Sequence, residues 1–566
     1  MSSSETPEFW DFKPQAELLN PTNDDYGPLP TFAASLNAHG MYETMRFVLR
    51  LSPRNHALVD SIQVGQQSVK DIAPETLQAY STYIHETVHW WQHVGSTSGL
   101  LFSLSYLAQT HSSMGQLREV IEKFGLKKPL KRWTDEVLIR EGPSAQIKLA
   151  AANVAVNNAL DVEYYKSFAY SPKQTAVWLS EQQHFESIGH CYYIAYGQLL
   201  GMLAGSADPD FLVLPNARDW DVQFARLNRE KHEGFYWRSP MRVPPIGLRA
   251  IYEGQARFVQ LQFLNATRTR VPTCEEWRDM GYLHGIYVEA FEQFLKLSQS
   301  DWPNDLSDPL VNLFLLICDL AINPTRGFPL DVESFEDFIL DVDVGMRFVQ
   351  LCVAVPSLPH LRTAIHLCNY DEYVEVSDQL TVSAGYDHPL AALKVVADWV
   401  DQSPGLEQLM SEHKSFKFDL ANLPIRVFFS QFVSFARDKL ARPEFFCWPG
   451  VCMVGDRATD ETTQLWLRHL SLFSDRGDKT GVYPRKWPDR EESAVKEMFH
   501  RFYGTMALYD TTRQWILADG PFVFDFKWLM ENYSEEQAVV WANDTFRQVY
   551  GVNLSDFEIL PTQPSS

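Results

Sequence analysis

The segment at positions 84–93, with the sequence IHETVHWWQH, constrains the fold of this chain more than any other stretch. It contains the pattern His-Glu-x-x-His, with His85 and His89 four residues apart. On an α-helix, residues four apart lie about 40° apart around the axis and roughly 6 Å apart along it. The segment therefore predicts a helix that directs two imidazoles toward one metal ion, with Glu86 next to the first of them.

The residues around the motif favour a buried helix, because none of the four at positions 87, 88, 90 and 91 is charged. Pro74 and Glu75 suit a first helical turn, where proline needs no amide hydrogen and a carboxylate interacts favourably with the helix dipole. We expect this metal helix to run to about residue 94 and to end at Gly95. The alternative is an ordinary amphipathic helix that carries two histidines.

A catalytic zinc ion has three protein ligands and an open position for water. Glu253 is the best candidate for the third ligand, because small residues would let its helix approach the metal helix closely: Ala250, Gly254 and Ala256. Arg249 and Arg257 lie four residues before and after Glu253. This spacing leaves open the alternative that Glu253 forms an ordinary ion pair on a solvent-exposed helix face.

Other residues compete for roles at the same site. Glu141 is an alternative third ligand, although a carboxylate beside Gly142-Pro143 is also explained by a favourable position near a helix dipole. His93 lies about 12 Å along the helix from His85, too far for easy convergence on one ion. We expect it to be a hydrogen-bonded buried histidine near the ligands. The candidate donors to a reacting substrate are His190, Tyr192, Tyr193, Tyr282 and His284.

A different interpretation treats Glu86-x-x-His89 as half of a two-metal site. Glu181-x-x-His184 repeats the pattern, and two such motifs on facing helices hold a di-iron or di-manganese centre in carboxylate-bridged helical bundles. That arrangement also needs a Glu from each of two other helices, and no suitable one precedes Glu86. A third interpretation is a non-catalytic binding protein in which the motif is structural.

At His85-Glu86-Thr87-Val88-His89 together with Glu253-Gly254-Gln255-Ala256, the sequence resembles HExxH zinc metallopeptidases of the gluzincin type. The resemblance implies that His85, His89 and Glu253 bind Zn²⁺ and that Glu86 is the general base. It covers two short stretches of the chain. The chain departs from the family at position 257, where a carboxylate often sits and this sequence has Arg.

The composition narrows the range of partners and compartments. The net charge is −23, from 72 acidic and 49 basic residues, which argues against nucleic acid or an anionic membrane as the main partner. The apolar run at 310–322 is too short to span a bilayer, and positions 1–7 show no export signal. Seven cysteines without a CxxC pair suit reduced thiols. We therefore expect a cytoplasmic peptidase acting on protein or peptide substrates, with its oligomeric state left open.

The expected fold is mainly α with a small N-terminal β-sheet, an α+β arrangement whose catalytic part is zincin-like by resemblance, followed by a helical C-terminal region. Residues 45–51 and 57–64 are predicted strands, and 246–265 is a predicted helix. Thr273 to Glu276 forms a capping-box pattern that predicts a helix to about residue 297. A break rich in Pro and Asp near residue 300 suggests a metallopeptidase domain at 1–325 and a helical region at 326–566.

Overall fold

The computed structural model describes residues 40–43, 46–62, 72–267, 270–478, 481–487, 489–524 and 534–561. Within these residues most of the chain is helical, which confirms the mainly α fold class. Positions 1–7, where no export signal is expected, lie outside the described residues. Among the described helices, none combines the length and the hydrophobicity that crossing a bilayer requires.

The helices follow one another along the chain, and many begin with proline in the first turn, where its missing amide hydrogen is not needed. Those before residue 325 are α1 (Pro53–Asp60), α2 (Pro74–Trp90), α3 (Thr97–Phe124), α4 (Leu130–Glu141), α5 (Ala145–Lys148), α6 (Ala150–Tyr170), α7 (Pro172–Glu181), α8 (Ile188–Ala207), α9 (Asp221–Arg229), α10 (Leu248–Ala266), α11 (Cys274–Asp279), α12 (Ile286–Ser298) and α13 (Pro309–Ile322). Those after it are α14 (Phe338–Val342), α15 (Val344–Ala354), α16 (Tyr370–Ala384), α17 (Pro389–Gln402), α18 (Pro404–Ser415), α19 (Leu423–Ala441), α20 (Pro443–Cys447), α21 (Pro449–Cys452), α22 (Asp460–Arg468), α23 (Glu492–Leu517) and α24 (Glu535–Tyr550). Short 3₁₀ turns lie at Ala217–Trp220, Val355–Ser357, Pro359–Thr363, Gly455–Arg457 and Leu554–Asp556.

A small sheet packs against α2. Its strands, in spatial order, are β1 (Gly40–Glu43), β2 (Val48–Leu51), β4 (Phe473–Ser474) and β5 (Tyr483–Pro484). β2 pairs antiparallel with β1 and parallel with β4. A second pair joins β3 (Lys127–Lys128) to β6 (Glu558–Ile559). The predicted N-terminal sheet is therefore present, but its other two strands come from a distant part of the chain that no sequence pattern indicated.

The helix α2 begins at Pro74, as predicted, and its α-helical part ends at Trp90. One π-helical turn, Trp91–Gly95, continues it to the predicted terminator. Every residue from position 84 to position 90 is buried. This part of α2 therefore lacks the exposed polar face that an ordinary amphipathic surface helix has.

The strand predicted at residues 57–64 is wrong where the structure describes it. α1 occupies residues 57–60 of this stretch, because Ser52 caps the helix by accepting a hydrogen bond from the amide of Asn55, and Pro53 fills the first helical position. Residues 63 and 64 lie outside the described residues. The Ser-Pro start signal thus outweighed the alternating apolar pattern.

The single helix predicted from Thr273 to residue 297 is two helices. Thr273 and Glu276 form the predicted capping box at the start of α11. However, α11 ends at Asp279, and Gly281 and Gly285 then adopt positive φ values of 80° and 55°. These values favour glycine, so the two glycines turn the chain before α12 begins. α12 consequently does not continue α11 but begins as a separate helix.

The core around α2 takes side chains from both sides of residue 325. Trp90 of α2 lies 6.2 Å, between ring centroids, from Phe428 of α19. Both belong to the largest buried apolar cluster, which also includes Phe258 of α10. The division at residue 325 stays a prediction, but residues on both sides of it hold α2 in place.

Candidate metal centre

Two helices bring His85, His89 and Glu253 together. The Nε2 atoms of His85 and His89 lie 3.1 Å apart on α2. The Oε2 atom of Glu253 on α10 lies 3.6 Å from the first and 3.5 Å from the second. In the described part of the chain, this is the one group of three His, Cys, Asp or Glu residues whose ligand atoms all lie within 4.8 Å of one another.

The distances fit a tetrahedral metal ion. With metal–ligand bonds of about 2.0–2.1 Å, two ligand atoms at tetrahedral corners lie about 3.3 Å apart. The three separations, 3.1, 3.5 and 3.6 Å, bracket that value. Two imidazole nitrogens and one carboxylate oxygen also form a donor set that zinc accepts at catalytic sites, with a fourth corner left for water or substrate. The residues present therefore fit a zinc ion.

Hydrogen bonds orient the ring of His89. Its Nδ1 lies 2.8 Å from Oε1 of Gln92, which accepts the ring hydrogen and leaves Nε2 free to bind a metal. The amide nitrogen of Gln92 in turn donates to the carbonyl of Tyr252 and to Oε1 of Gln255, at 3.0 and 2.9 Å. Gln92 thus both fixes the orientation of the ring and ties the end of α2 to α10.

The helix α10 presents one face to α2 and another to α12. Gln260, on the same face as Glu253, donates to Ser81 of α2 at 3.2 Å. A Cβ at Gly254 would lie 3.2 Å from the Cβ of Ala290 on α12. Gly254 therefore permits close packing against α12, not against α2 as the flanking small residues suggested. The polar contacts between α10 and α2, made by Gln92 and Gln260, set the position of Glu253.

In the metal-free protein, the protonation states of the three ligand candidates depend on burial and on one another's charges. Burial lowers the pKa of His85 to about 4. Burial also opposes the charged form of His89, but the charges of Glu253 and Glu86 outweigh it and raise the pKa to about 9. Burial would raise the pKa of Glu253, yet the charge of His89 and hydrogen bonds from both histidines hold it well below its usual range. The metal-free state therefore contains a His89–Glu253 ion pair.

Glu86 lies between the two histidine ligand candidates and β1, the edge strand of the sheet. Its side chain is buried, and the backbone of Tyr42 in β1 donates a hydrogen bond to it. A Cβ at Gly40 would lie 2.8 Å from Oε1 of Glu86, so glycine is needed for this close approach of β1. Burial raises the pKa of Glu86 to about 7, despite the opposing charge of His89. A carboxyl group with this pKa can both accept and return a proton near neutral pH.

Arg257 and Tyr287 also lie beside the ligand candidates, and the sequence analysis did not predict this position for either residue. Arg257 is 1% exposed, so it does not form the solvent-exposed ion pair with Glu253 that its four-residue spacing left open. Its guanidinium carbon lies 3.8 Å from the ring centroid of Tyr287. The ring of Tyr287 lies 6.0 Å, between centroids, from that of His85. The spacing of Arg257 from Glu253 was a usable signal, but nothing local to Tyr287 indicated its position.

His93 is a buried neighbour of the site and not part of the ligand group. Its ring lies 5.0 Å from that of Tyr252 and 5.4 Å from that of Tyr42, between centroids. Its Nδ1 lies 3.3 Å from Oγ of Ser103. Burial lowers its pKa to about 3, so the ring is neutral. These contacts agree with the expected hydrogen-bonded buried histidine.

The alternative ligand sets are not brought together. Glu141 lies on the surface, where it pairs with Arg140 and Lys148 at 3.1 Å each. Glu181 is exposed at the last residue of α7, so the Glu181-x-x-His184 motif does not lie on one helix. His184 instead contacts Asp135, with 3.2 Å between Nε2 and Oδ1. The structure therefore gives no geometric support to a third ligand at 141 or to a second metal motif at 181–184.

Most of the proposed donors are engaged elsewhere. His190 lies 3.3 Å from Asp161. Tyr192 and Tyr193 donate to Asp343 and Asp221. Tyr282 is buried against Trp277. His284 is exposed, with its ring 6.0 Å from that of Tyr287, and the ring centroid of Tyr282 lies 5.9 Å from the guanidinium carbon of Arg257. Of the five, these two have a described contact with the surroundings of the site.

Comparison of the chain with protein-family models, with curated proteins and with solved structures finds no match. The geometry of this centre is therefore the basis for assigning a function.

Proposed function

We propose that this protein is a zinc-dependent peptidase of the HExxH, gluzincin-like type, with His85, His89 and Glu253 as the metal ligands. The observation that carries the proposal is the triangle of ligand atoms, with sides of 3.1, 3.5 and 3.6 Å, beside a buried glutamate. A three-ligand site that leaves one corner open is typical of catalytic zinc, whereas structural zinc sites have four protein ligands.

Glu86 is the general base in this proposal. A bound zinc ion would polarise the scissile carbonyl and lower the pKa of a water molecule at the open corner. Glu86 follows His85 directly on α2, and its carboxylate takes the proton from that water and passes it to the leaving amine. Its burial and its pKa of about 7 suit both transfers. Tyr42 and the close contact at Gly40 hold the carboxylate in place.

The proposed substrates are proteins or peptides in the cytoplasm. The seven cysteines are all buried and free of disulfides, which suits a reducing compartment. The net charge of −23 disfavours nucleic acid and anionic lipid as partners. The zincin-like architecture of the N-terminal part belongs to the same proposal, supported by the position of the sheet edge against Glu86.

The experiment combines metal analysis with a peptide screen. Protein purified without added metal is analysed by mass spectrometry and then assayed on a library of quenched fluorescent peptides. We expect about one zinc per chain, peptide cleavage, loss of both in His85→Ala, and loss of cleavage with retained zinc in Glu86→Gln. His184→Ala is the matched control, because this histidine lies in the second motif and should change neither readout.

Two results would contradict the proposal. Unchanged cleavage by Glu86→Gln would exclude Glu86 as the base. Two irons or manganese ions per chain, lost in His184→Ala, would instead support the two-metal interpretation.

A further inference from the structure

A cavity of about 560 Å³ opens between α1, the four-stranded sheet and α2. Its wall on α2 is formed by Tyr83, two residues before His85. Side chains two apart on a helix point about 200° apart, so this cavity lies on the face of α2 turned away from the candidate metal centre. Its volume falls within the range of pockets that bind small molecules, roughly 300–1,000 Å³. The cavity is therefore a candidate for a second ligand site.

Asp475 fixes one wall of the cavity. Its side chain is 4% exposed. Its Oδ1 accepts a hydrogen bond from the amide of Leu51 at 3.1 Å and lies 2.6 Å from Nε2 of His56. Leu49, Leu51 and Val59 give apolar surface to the same cavity. Because these contacts join β2, α1 and the segment after β4, a ligand would have to order little of the wall on binding.

Arg485 brings an incompletely partnered cation to the cavity. It directly follows β5, and its backbone amide donates to the carbonyl of Leu472 at 2.9 Å. Its Nη2 donates to the carbonyl of Leu467, and its guanidinium carbon lies 4.2 Å from the ring centroid of Trp487. Its Nη1 is buried and has no hydrogen-bond partner among the residues that the structure describes.

A buried guanidinium that lacks an acceptor is costly, and a ligand could supply one. Burial lowers the pKa of Arg485 to about 10, and the charges of Tyr83 and Asp489 offset this only in part. Arg476 also lines the cavity, with its guanidinium carbon 4.5 Å from the ring centroid of Tyr483. A carboxylate is a strong acceptor for guanidinium donors. The missing partner of Arg485 therefore matches a ligand carboxylate.

The cavity also offers negative charge. Asp60, at the end of α1, and Asp478 line it, and both residues are exposed. Burial raises the pKa of Tyr83, the charge of Arg485 lowers it, and the charge of Asp60 raises it. One phenol in the α2 wall thus experiences both charges. A cation, two exposed carboxylates and an apolar surface consequently line one small cavity.

We infer that this cavity binds a free α-amino acid or a dipeptide with apolar side chains. The carboxylate of the ligand accepts a hydrogen bond from Nη1 of Arg485, and its ammonium group interacts with Asp60 and Asp478. Its side chains contact the apolar surface of β2 and α1. A ligand of a single charge would complement only one of the two kinds of charged group. The site shares no residue with the metal centre, so the inference does not depend on the proposed peptidase activity.

Arg485 has a competing structural role, because it also holds Trp487 and the carbonyl of Leu467. A second variant separates the two roles. Ala57 is an exposed residue of α1 that lines the cavity. Ala57→Trp should obstruct the cavity while leaving every described contact of Arg485 in place.

The experiment is calorimetric titration with five probes: leucine, leucyl-leucine, leucinamide, 4-methylpentanoate and inorganic phosphate. Leucinamide lacks the carboxylate, and 4-methylpentanoate lacks the ammonium group. Each protein also carries His85→Ala, because an amino acid can chelate a metal ion at the other site. Arg485→Gln and Ala57→Trp are compared with the matched control Arg501→Gln, which removes an arginine that pairs with Glu497 beside a different cavity.

We expect saturable binding of leucine or leucyl-leucine, with leucinamide and 4-methylpentanoate each at least about tenfold weaker. Arg485→Gln and Ala57→Trp should each weaken the better probe by about tenfold or more, and Arg501→Gln should not change its affinity. Tighter binding of leucine assigns the cavity to free amino acids, and tighter binding of leucyl-leucine assigns it to dipeptides. If Arg485→Gln does not fold, Ala57→Trp and the five probes still decide the question.

Three results would overturn the inference. The first is no saturable heat from leucine or leucyl-leucine up to about 10 mM. The second is equal affinity for 4-methylpentanoate or phosphate, which would show a site for anions only. The third is unchanged affinity in Ala57→Trp, which would place the binding outside this cavity. None of these results bears on zinc content or peptide cleavage, so the proposed function is tested separately.

Discussion

Zinc binding should release about one proton per ion near neutral pH. Burial opposes the charged form of His89, but the charges of Glu253 and Glu86 raise its pKa to about 9. His89 therefore carries a proton at pH 7, and this proton must leave before both ring nitrogens can serve their roles. His85, with a pKa lowered to about 4, and Glu253, with a pKa well below its usual range, are already deprotonated.

The size of the effect follows from the distance between the pH and the pKa of His89. Each pH unit below 9 should weaken apparent zinc affinity about tenfold, so the loss from pH 9 to pH 7 is about 100-fold, or roughly 2.7 kcal/mol. The stability of the metal-free fold depends on pH in the opposite direction, because the charged form of His89 pairs with Glu253. Because the pKa of His89 is raised above the ordinary histidine value of 6.5, this stabilisation is complete below pH 6.5 and lost as the pH rises through 9.

The assay is isothermal titration calorimetry in two buffers with different ionisation enthalpies, repeated between pH 6 and 9. The difference in heat between the buffers gives the number of protons released. His93→Gln is the matched control, since His93 lies nearby but is neutral, with a pKa of about 3, and should leave the proton count unchanged. Stoichiometric zinc binding whose affinity does not change between pH 6 and 8 would refute the reasoning.

Three further outcomes are expected. Gln92→Ala frees the ring of His89 and should weaken zinc binding about 10- to 100-fold by calorimetry; unchanged affinity would show that Gln92 does not orient the ligand. Glu86→Gln should raise the unfolding temperature of the metal-free protein at pH 8 by a few degrees in scanning calorimetry. A buried carboxylate whose pKa is raised from 4.5 to about 7 loses folded-state stability as the pH rises between those values, so a lower unfolding temperature would contradict this. Gly40→Val introduces a Cβ that would lie 2.7 Å from Cγ2 of Thr82 and 2.8 Å from Oε1 of Glu86; it should lower kcat about tenfold or more at constant zinc content, and an unchanged kcat would mean that β1 does not position Glu86.

The sequence was sufficient for the part of the site that depends on local geometry. His85 and His89 lie on one helix, and a four-residue spacing alone places their rings side by side. The start of α2 at Pro74 and the capping box at Thr273 are also local signals, and both are present in the structure. Glu253 was named as a ligand candidate, but its approach to the histidines depends on contacts between α10 and α2.

What sequence reasoning missed depends on residues far apart in the chain. β4 joins the sheet by parallel pairing with β2, and a two-residue strand has no periodic pattern that could be detected. Tyr287 reaches the centre because two glycines turn the chain before α12 and a third lets α12 pack closely on α10. The 57–64 prediction failed for a local reason, since the Ser52-Pro53 start signal was overlooked.

The three ligand side chains differ in their access to solvent, and this has a kinetic consequence. The side chain of Glu253 is 30% exposed, whereas those of His85 and His89 are 8% and 10% exposed. We therefore expect an arriving cation to contact the carboxylate before the imidazoles, and a departing cation to leave the carboxylate last. Exchange of the ion should be gated by Glu253, so a shorter carboxylate at this position would change how fast a chelator strips the protein as well as how tightly the metal is held.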